Sequence, residues 1–190
     1  MDPKKTKEIE AAVQSLMCAL GADLNAPGLV ETPARAARMF SEMFEGMRYS
    51  NDEIAAMFNK SFQYSHAKDL VLLKDIRIFS FCEHHFALMY NMVVHVGYIP
   101  AGKVLGLSKI ARIVDMVGKR FQLQERIGSD VAYIMQKALG TKDVMVVIEG
   151  EHSCMNARGI RAHEAKTRTN TYRGAFDTDF ALRNEVLLQL

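Results

Sequence analysis

The 190-residue chain has no tryptophan, four prolines and three cysteines, and its net charge is only +2 with the histidines neutral. Each scarcity excludes something. Three cysteines, an odd number without the dense spacing of small secreted domains, argue against a disulfide framework and point to a reducing compartment, so the cytoplasm is the expected location. A balance of 24 basic against 22 acidic residues leaves no bulk electrostatic footprint for nucleic acid or a membrane surface. The aromatics, 8% of the chain, are not interleaved with basic residues as a nucleic-acid stacking platform requires. No apolar run approaches the ~20 residues that span a bilayer. The N-terminus, Met1-Asp2-Pro3-Lys4-Lys5, leads into an amphipathic pattern and not into an apolar signal segment. Repeats, low-complexity tracts and linkers are missing too. With 49% hydrophobic residues, the chain is an ordinary globular protein, long enough to bury roughly 70% of its unfolded surface.

Apolar periodicity divides the chain into a helical N-terminal arm, residues 1–60, and an α+β body, residues 61–190. In the arm Ile9, Val13, Leu16, Met17 and Leu20 recur at helical spacing, and Cys18 falls among them as a core residue. Thr32 is placed as the N-cap of a second helix, with Pro33 at its first position, an apolar face of Ala36, Met39, Phe40 and Met43, and Gly46 as its stop. Ser50 and Glu53 have capping-box spacing for a third. In the body, residues 70–82 and 86–99 read as two long strands. Two helices follow: one capped by Ser108 with Ile110, Ile113, Val114 and Val117 inward, one opened by Gln124-Glu125 with Ile127, Val131, Ile134, Met135 and Ala138 inward. A strand runs from Val144 to Cys154, another carries Thr167, Thr169 and Thr171, and 178–190 reads as helix. Long strands in a sheet of about four leave edges that favour an oligomer.

Against the general poverty of cysteine, two stretches stand out: Cys82-Glu83-His84-His85 and His152-Ser153-Cys154. Thiolate and imidazole are the ligands a soft divalent metal takes, and Cys82 and His85 are spaced for one turn to present both. In a strand, His152 and Cys154 would leave the same face. Cys82, His85 and Cys154 make three ligands. His84 or His152 would close the site as a fourth, or leave it open for water and catalysis. Ser108, Lys109 and Arg112 gather in the first turn or so of a helix, where free N–H groups and the dipole favour an anion such as phosphate; an ordinary solvated face is the plainer reading. Arg158, just past Cys154, is a further cation for that role. Glu125, a carboxylate at a helix start, is in isolation most simply a partner of the helix dipole; a carboxylate is also able to accept two parallel N–H bonds, which the guanine edge offers and adenine does not.

These motifs together resemble the GTP cyclohydrolase I family: Cys82-Glu83-His84-His85-Phe86, Gly106-Leu107-Ser108-Lys109-Ile110-Ala111-Arg112-Ile113, Gln124-Glu125-Arg126, His152-Ser153-Cys154, Ala157-Arg158-Gly159 and the earlier Glu31-Thr32-Pro33-Ala34-Arg35, in family order. The resemblance implies the tunnelling fold, in which subunit sheets join into a barrel with helices outside, and a homodecamer of two pentamers with active sites between subunits. It implies conversion of GTP to 7,8-dihydroneopterin triphosphate and formate, the entry to folate or tetrahydropterin synthesis, through attack of a metal-held water on C8 of guanine. Cys82, His85 and Cys154 would then hold Zn²⁺, with Fe²⁺ or Mn²⁺ as possible replacements. His152 and His84 would be the acid/base pair, acting at purine N7 and at the ribose oxygen. Glu125 and Gln124 would bind the base; Ser108, Lys109, Arg112 and Arg158 would bind the triphosphate, and Arg35 would reach in from a neighbour. Phe121 stands where some relatives have proline, and no regulatory extension is expected in the short arm. Two other readings fit parts of the pattern: a different pterin or deazapurine enzyme on the same scaffold, or a non-catalytic module stapled by zinc.

Overall fold

The computed structural model describes residues 3–65 and 69–190, which form two compact units, one up to Glu45 and one from Gly46 onward. The elements are α1 (Pro3–Ala19), α2 (Thr32–Met43), a 3-10 turn (Glu45–Arg48), α3 (Asn51–Met57), β1 (Ser61–Gln63), β2 (Val71–Cys82), β3 (Ala87–Tyr98), β4 (Lys103–Leu105), α4 (Leu107–Gly118), β5 (Phe121–Gln122), α5 (Gln124–Leu139), β6 (Val144–His152), α6 (Ser153–Asn156), β7 (Thr167–Arg173), α7 (Ala175–Thr178) and α8 (Phe180–Leu187).

In the first unit the helical periodicity is correct but the burial it suggested is not. No residue of α1 is buried; Leu16, Leu20 and Cys18 are exposed, so Cys18 is not a core residue. Two helices alone cannot enclose an apolar stripe. Thr32 is the first helical residue and not the cap, which is Glu31 without a side-chain capping bond; Pro33 and Ala37 are the buried positions. Gly46 does not end α2, whose C-cap is Phe44.

The second unit is a largely antiparallel sheet with the expected helix pair, α4 and α5, on one face and the short helices α7 and α8 against the other. The five-strand order is β5-β2-β3-β6-β7, and only the two-residue β5 pairs in parallel. The two hairpins expected from the alternating runs are β2–β3 and β6–β7. Inward residues of α4 and α5, Ile110, Ile113, Val114, Val117, Ile127, Val131, Ile134 and Met135, are fully buried against Met92, Val94, Val96, Val146 and Ile148 of the sheet. Each such side chain removed from water contributes about 1.5–3 kcal/mol, which is what holds the helix pair to the strands. A smaller cluster of Met145, Val147, Phe176 and Val186 packs α7 and α8 against other side chains of β6. Ser50 and Glu53 form the capping box of α3, which lies with this unit. Ser108 is not the cap of α4: Gly106 is, and Ser108 sits inside the first turn. Strand β6 ends at His152, so Cys154 falls in the short helical turn α6 and not on the strand.

Register shifts interrupt β2–β3 at Leu73–Ile76 and Ile78–Ser80 and β3–β6 at Tyr90–Val93, with Asp75 (φ 60°) and Asn91 (φ 50°) in left-handed conformation, irregularities of the kind that bend a sheet. Beyond β3, β2 pairs only through Phe81 and Cys82 to β5, and β7 is the opposite edge of the sheet among the described residues. No helix among the described residues is long and apolar enough to cross a membrane.

Candidate metal centre and its surroundings

Strand β2 ends at Cys82 and β3 starts at Ala87, so Glu83-His84-His85-Phe86 forms the connecting turn. Phe86 closes that turn at φ 52°, a conformation costing a non-glycine residue of the order of 1–2 kcal/mol. Its ring lies 5.7 Å from Phe81 and 5.1 Å from Phe121, and these aromatic contacts offset the strain. Phe121 thus braces the turn. The turn is also tied to α5: Arg126 pairs with the Glu83 carboxylate and donates to Gln122 Oε1 at 2.7 Å. Arg126 holds the Glu83 carboxyl below its ordinary value chiefly by hydrogen bonding. The opposite charges of Glu83 and Arg126 were visible in the sequence, but nothing local pairs residues 43 apart.

The second stretch arrives from across the sheet. Met89 lies opposite His152 in the β3–β6 ladder, and α6 turns immediately after it. Ser153 Oγ donates to the Leu88 carbonyl at 2.6 Å. Asn156, 7% exposed, bridges the His152 and Ala162 carbonyls to the Tyr90 hydroxyl and so sets the pitch of α6. Neither role has a signal in the sequence, because both depend on where β3 passes.

The result is convergence. Sulfur atoms of Cys82 and Cys154 and a ring nitrogen of His85 lie within 4.8 Å of one another. Donors around a tetrahedral ion with bonds of about 2.0–2.3 Å stand ~3.3–3.8 Å apart, so the cluster is a slight contraction away from that geometry. Cys82 is buried and Cys154 partly buried; burial first, and the neighbouring Cys82 second, push the Cys154 thiol up. A partly buried thiol such as Cys154 beside a second sulfur is better stabilised as a thiolate next to a cation. Soft donors and their spacing fit a divalent metal.

Around the cluster stand most of the expected residues. His84 is exposed, with Nδ1 3.8 Å from Cys82 Sγ. His152 Nε2 lies 2.9 Å from Gln124 Oε1, and burial draws the His152 imidazole below its usual value, opposed by the Glu125 charge. Arg158 is near enough for its charge to act on Cys154. Glu125 is exposed and lines an open cavity of about 430 Å³ with Ser129, Thr169, Thr171, Arg173 and Asp177. Gln124, expected at the substrate, is instead 1% exposed with its amide engaged inside the chain.

Ser108, Lys109 and Arg112 do not join them. The C-terminal end of α4 is the one near the cluster, since Gly118 abuts the Phe79 carbonyl and Ser80 Oγ donates to Arg120. The residues expected to bind an anion lie at the other end, about 15 Å along the helix axis. There Lys109 Nζ donates to the Lys60 carbonyl at 2.7 Å, and Ser108 and Arg112 are exposed. Arg35 lies in the first unit, paired with Glu31.

Comparison with known proteins identifies a family for this arrangement. The sequence profile of GTP cyclohydrolase I matches residues 9–190. A protein of Ruminiclostridium cellulolyticum called GTP cyclohydrolase 1 is 56% identical over 187 residues, 96% of this chain and 96% of its own length. The protein of the same name from Clostridium botulinum (strain Loch Maree) is 54% identical over 187 residues, 96% of this chain and 95% of its own. That of Clostridium acetobutylicum is 53% identical over 186 residues.

Proposed function

Since this chain belongs to the GTP cyclohydrolase I family, we propose the part each of its residues plays in the family's reaction. The protein is an enzyme, a GTP cyclohydrolase acting at the first step of pterin and folate synthesis, and its α+β architecture is the tunnelling fold. Family membership sets aside the zinc-stapled binding module. The observation that carries the site assignment is the convergence of Cys82, His85 and Cys154, the last of them two residues along the chain from His152.

Those three side chains would hold the metal, Zn²⁺ by donor type, with Fe²⁺ or Mn²⁺ compatible. Such an ion, when bound, supplies Lewis acidity and lowers the pKa of a water toward about 7. Glu125 accepts the paired N–H groups of guanine from the open cavity and orients C8 toward the cluster. His152 passes a proton to purine N7, which draws electrons from C8 and prepares it for attack by water. His84, exposed and beside the Cys82 thiol, serves the ribose oxygen as the sugar opens. An imidazole suits both tasks because its ordinary pKa lies near the working pH. Opening of the purine and loss of C8 as formate leaves the carbon skeleton of 7,8-dihydroneopterin triphosphate.

The triphosphate needs cations; among the described residues Arg158 acts on Cys154, while the nearby Arg126 is already paired with Glu83. Ser108, Lys109 and Arg112 of one protomer therefore serve the metal centre of another, and Arg35 does likewise. Among the described residues the outer edge of β2 is paired only at Phe81 and Cys82 and the outer edge of β7 is open, and strand pairing between protomers would cover both. This is the logic of a ring of sheets, and we read the assembly as a homodecamer of two pentamers in the cytoplasm.

His152→Ala tests the assignment. The variant is expected to bind GTP, because binding rests on Glu125 and the basic groups, yet to release no formate and form no fluorescent pterin after oxidation. Lost GTP affinity combined with normal chemistry in the residual complex would refute the proton role.

A further inference from the structure

We propose that Gln124 is a positioning residue for His152: its buried amide fixes the hydrogen on Nε2 and leaves Nδ1 as the nitrogen that exchanges a proton with substrate. The inference rests on the reading of His152 as the proton carrier and goes beyond it by naming the working atom and what selects it.

The orientation of the amide follows from its neighbours. Gln124 Nε2 donates to the Ile148 carbonyl at 3.1 Å and the Thr167 carbonyl at 3.0 Å, with Thr169 Oγ1 at 3.3 Å. Two of these partners are carbonyl oxygens, which only accept. Exchanging the amide nitrogen and oxygen would set oxygen against both, so the nitrogen is held on the strand side. Oε1 then faces His152 Nε2 at 2.9 Å. An amide oxygen has no hydrogen to give, so Nε2 must be the donor. In the neutral ring Nδ1 is therefore the lone-pair nitrogen, and in the imidazolium Nδ1–H is the hydrogen left for transfer.

The surroundings keep this arrangement single. Gln124 is 1% exposed, so no bulk water competes for either end of the amide. The β6 backbone is bare where the amide passes: a Cβ on Gly150 would stand 3.3 Å from Oε1 and 3.0 Å from Met92 Cγ. A hydrogen bond of this kind, made outside the reacting shell, sets the tautomer and aim of a working histidine. It also explains a mismatch between motif and structure. Gln124 neighbours Glu125 in sequence, but its own hydrogens are spent inside the chain and none is left for the guanine edge.

Imidazole ¹⁵N spectroscopy of the metal-loaded, histidine-labelled enzyme tests the lock directly, with the His152 resonances assigned by their absence in His152→Ala. Neutral His152 is expected to show a protonated Nε2 and an unprotonated Nδ1; the reverse pattern in the wild-type enzyme overturns the proposal without any substitution at 124. Gln124→Met is expected to mix the two tautomers and to lower kcat by about 10–100-fold, while KM for GTP stays within about threefold. Gln124→Glu, which keeps an acceptor for Nε2–H, is expected to retain the Nε2–H pattern and turn over faster than Gln124→Met. An unchanged kcat in Gln124→Met, or a raised KM with kcat intact, would mark Gln124 as a structural or substrate-contacting residue and refute the idea. Normal turnover in His152→Ala alongside the expected wild-type spectrum would instead defeat the proton role of His152 and leave the amide bond standing.

Discussion

Gly128 offers a sharp test because two physical arguments give opposite signs. It lies inside α5, one turn beyond Gln124 and Glu125, where helix propensity alone favours alanine by up to about 1 kcal/mol. The packing says otherwise. A Cβ at this position would stand 2.4 Å from Thr171 Oγ1 and 3.3 Å from Thr171 Cβ, about 1 Å inside ordinary contact with the oxygen. Threonine cannot rotate out of the way cheaply, since its other branch is a methyl group that would take the place of the hydroxyl. Helix α5 must therefore lift from β7, and overpacking of this kind costs about 1–3 kcal/mol. Subtracting the full propensity gain leaves Gly128→Ala destabilising by up to roughly 2 kcal/mol. Denaturant midpoints at fixed protein concentration, with unchanged m, would measure it. Thr171→Ala removes the obstructing hydroxyl, so the double variant should recover at least about 1 kcal/mol relative to additivity. A stabilised Gly128→Ala, or additive single and double variants, would refute the packing argument.

Two more outcomes check the metal centre and the sheet. Cys154→Ser is expected to lose bound metal and turnover together, read by elemental analysis and formate release; full metal occupancy would remove Cys154 from the ligand set. His95, 8% exposed on β3, accepts the Asp75 N–H at Nδ1 (3.2 Å), and burial holds its imidazole below the ordinary value against the raising influence of Asp75 and Glu149. The unfolded chain then binds this proton more readily than the folded one. The His95 contribution to stability is thus full above about pH 6.5 and is lost as pH falls through the unfolded value toward the lowered folded one. His95→Gln should flatten the pH dependence of unfolding in that acid range, and an unchanged slope would exclude the residue as its source.

Much of the body was legible in advance because its elements are long and one-sided. Ile110, Ile113, Val114 and Val117, and Ile127, Val131, Ile134 and Met135, recur at helical spacing, and all eight are buried. Ends were harder. Thr32 and Ser108 have the right chemistry for caps, yet Glu31 and Gly106 occupy those positions, neither with a side-chain capping bond, because backbone hydrogen bonding and not side-chain type decides where the helix begins. The strand assigned through Cys154 stops at His152, where Ser153 and Asn156 bond to groups around β3 and draw the chain into a turn. Leu16, Leu20 and Cys18 show a further limit, since an apolar period states a preference for burial and not the presence of something to bury against.

From the sequence alone came the donor types, the two ligand stretches, the helix pair and the family, all of which are properties of residue identity and short-range spacing. Tertiary structure decided that Cys154 reaches Cys82 and His85 from a helical turn, and that Glu83 is clamped by Arg126. It decided that the Gln124 amide meets His152, and that Ser108, Lys109 and Arg112 lie a helix length from the thiols of their own chain. These relations are distances between residues remote in sequence, set by how α4 and α5 pack on the sheet, and no local pattern contains them.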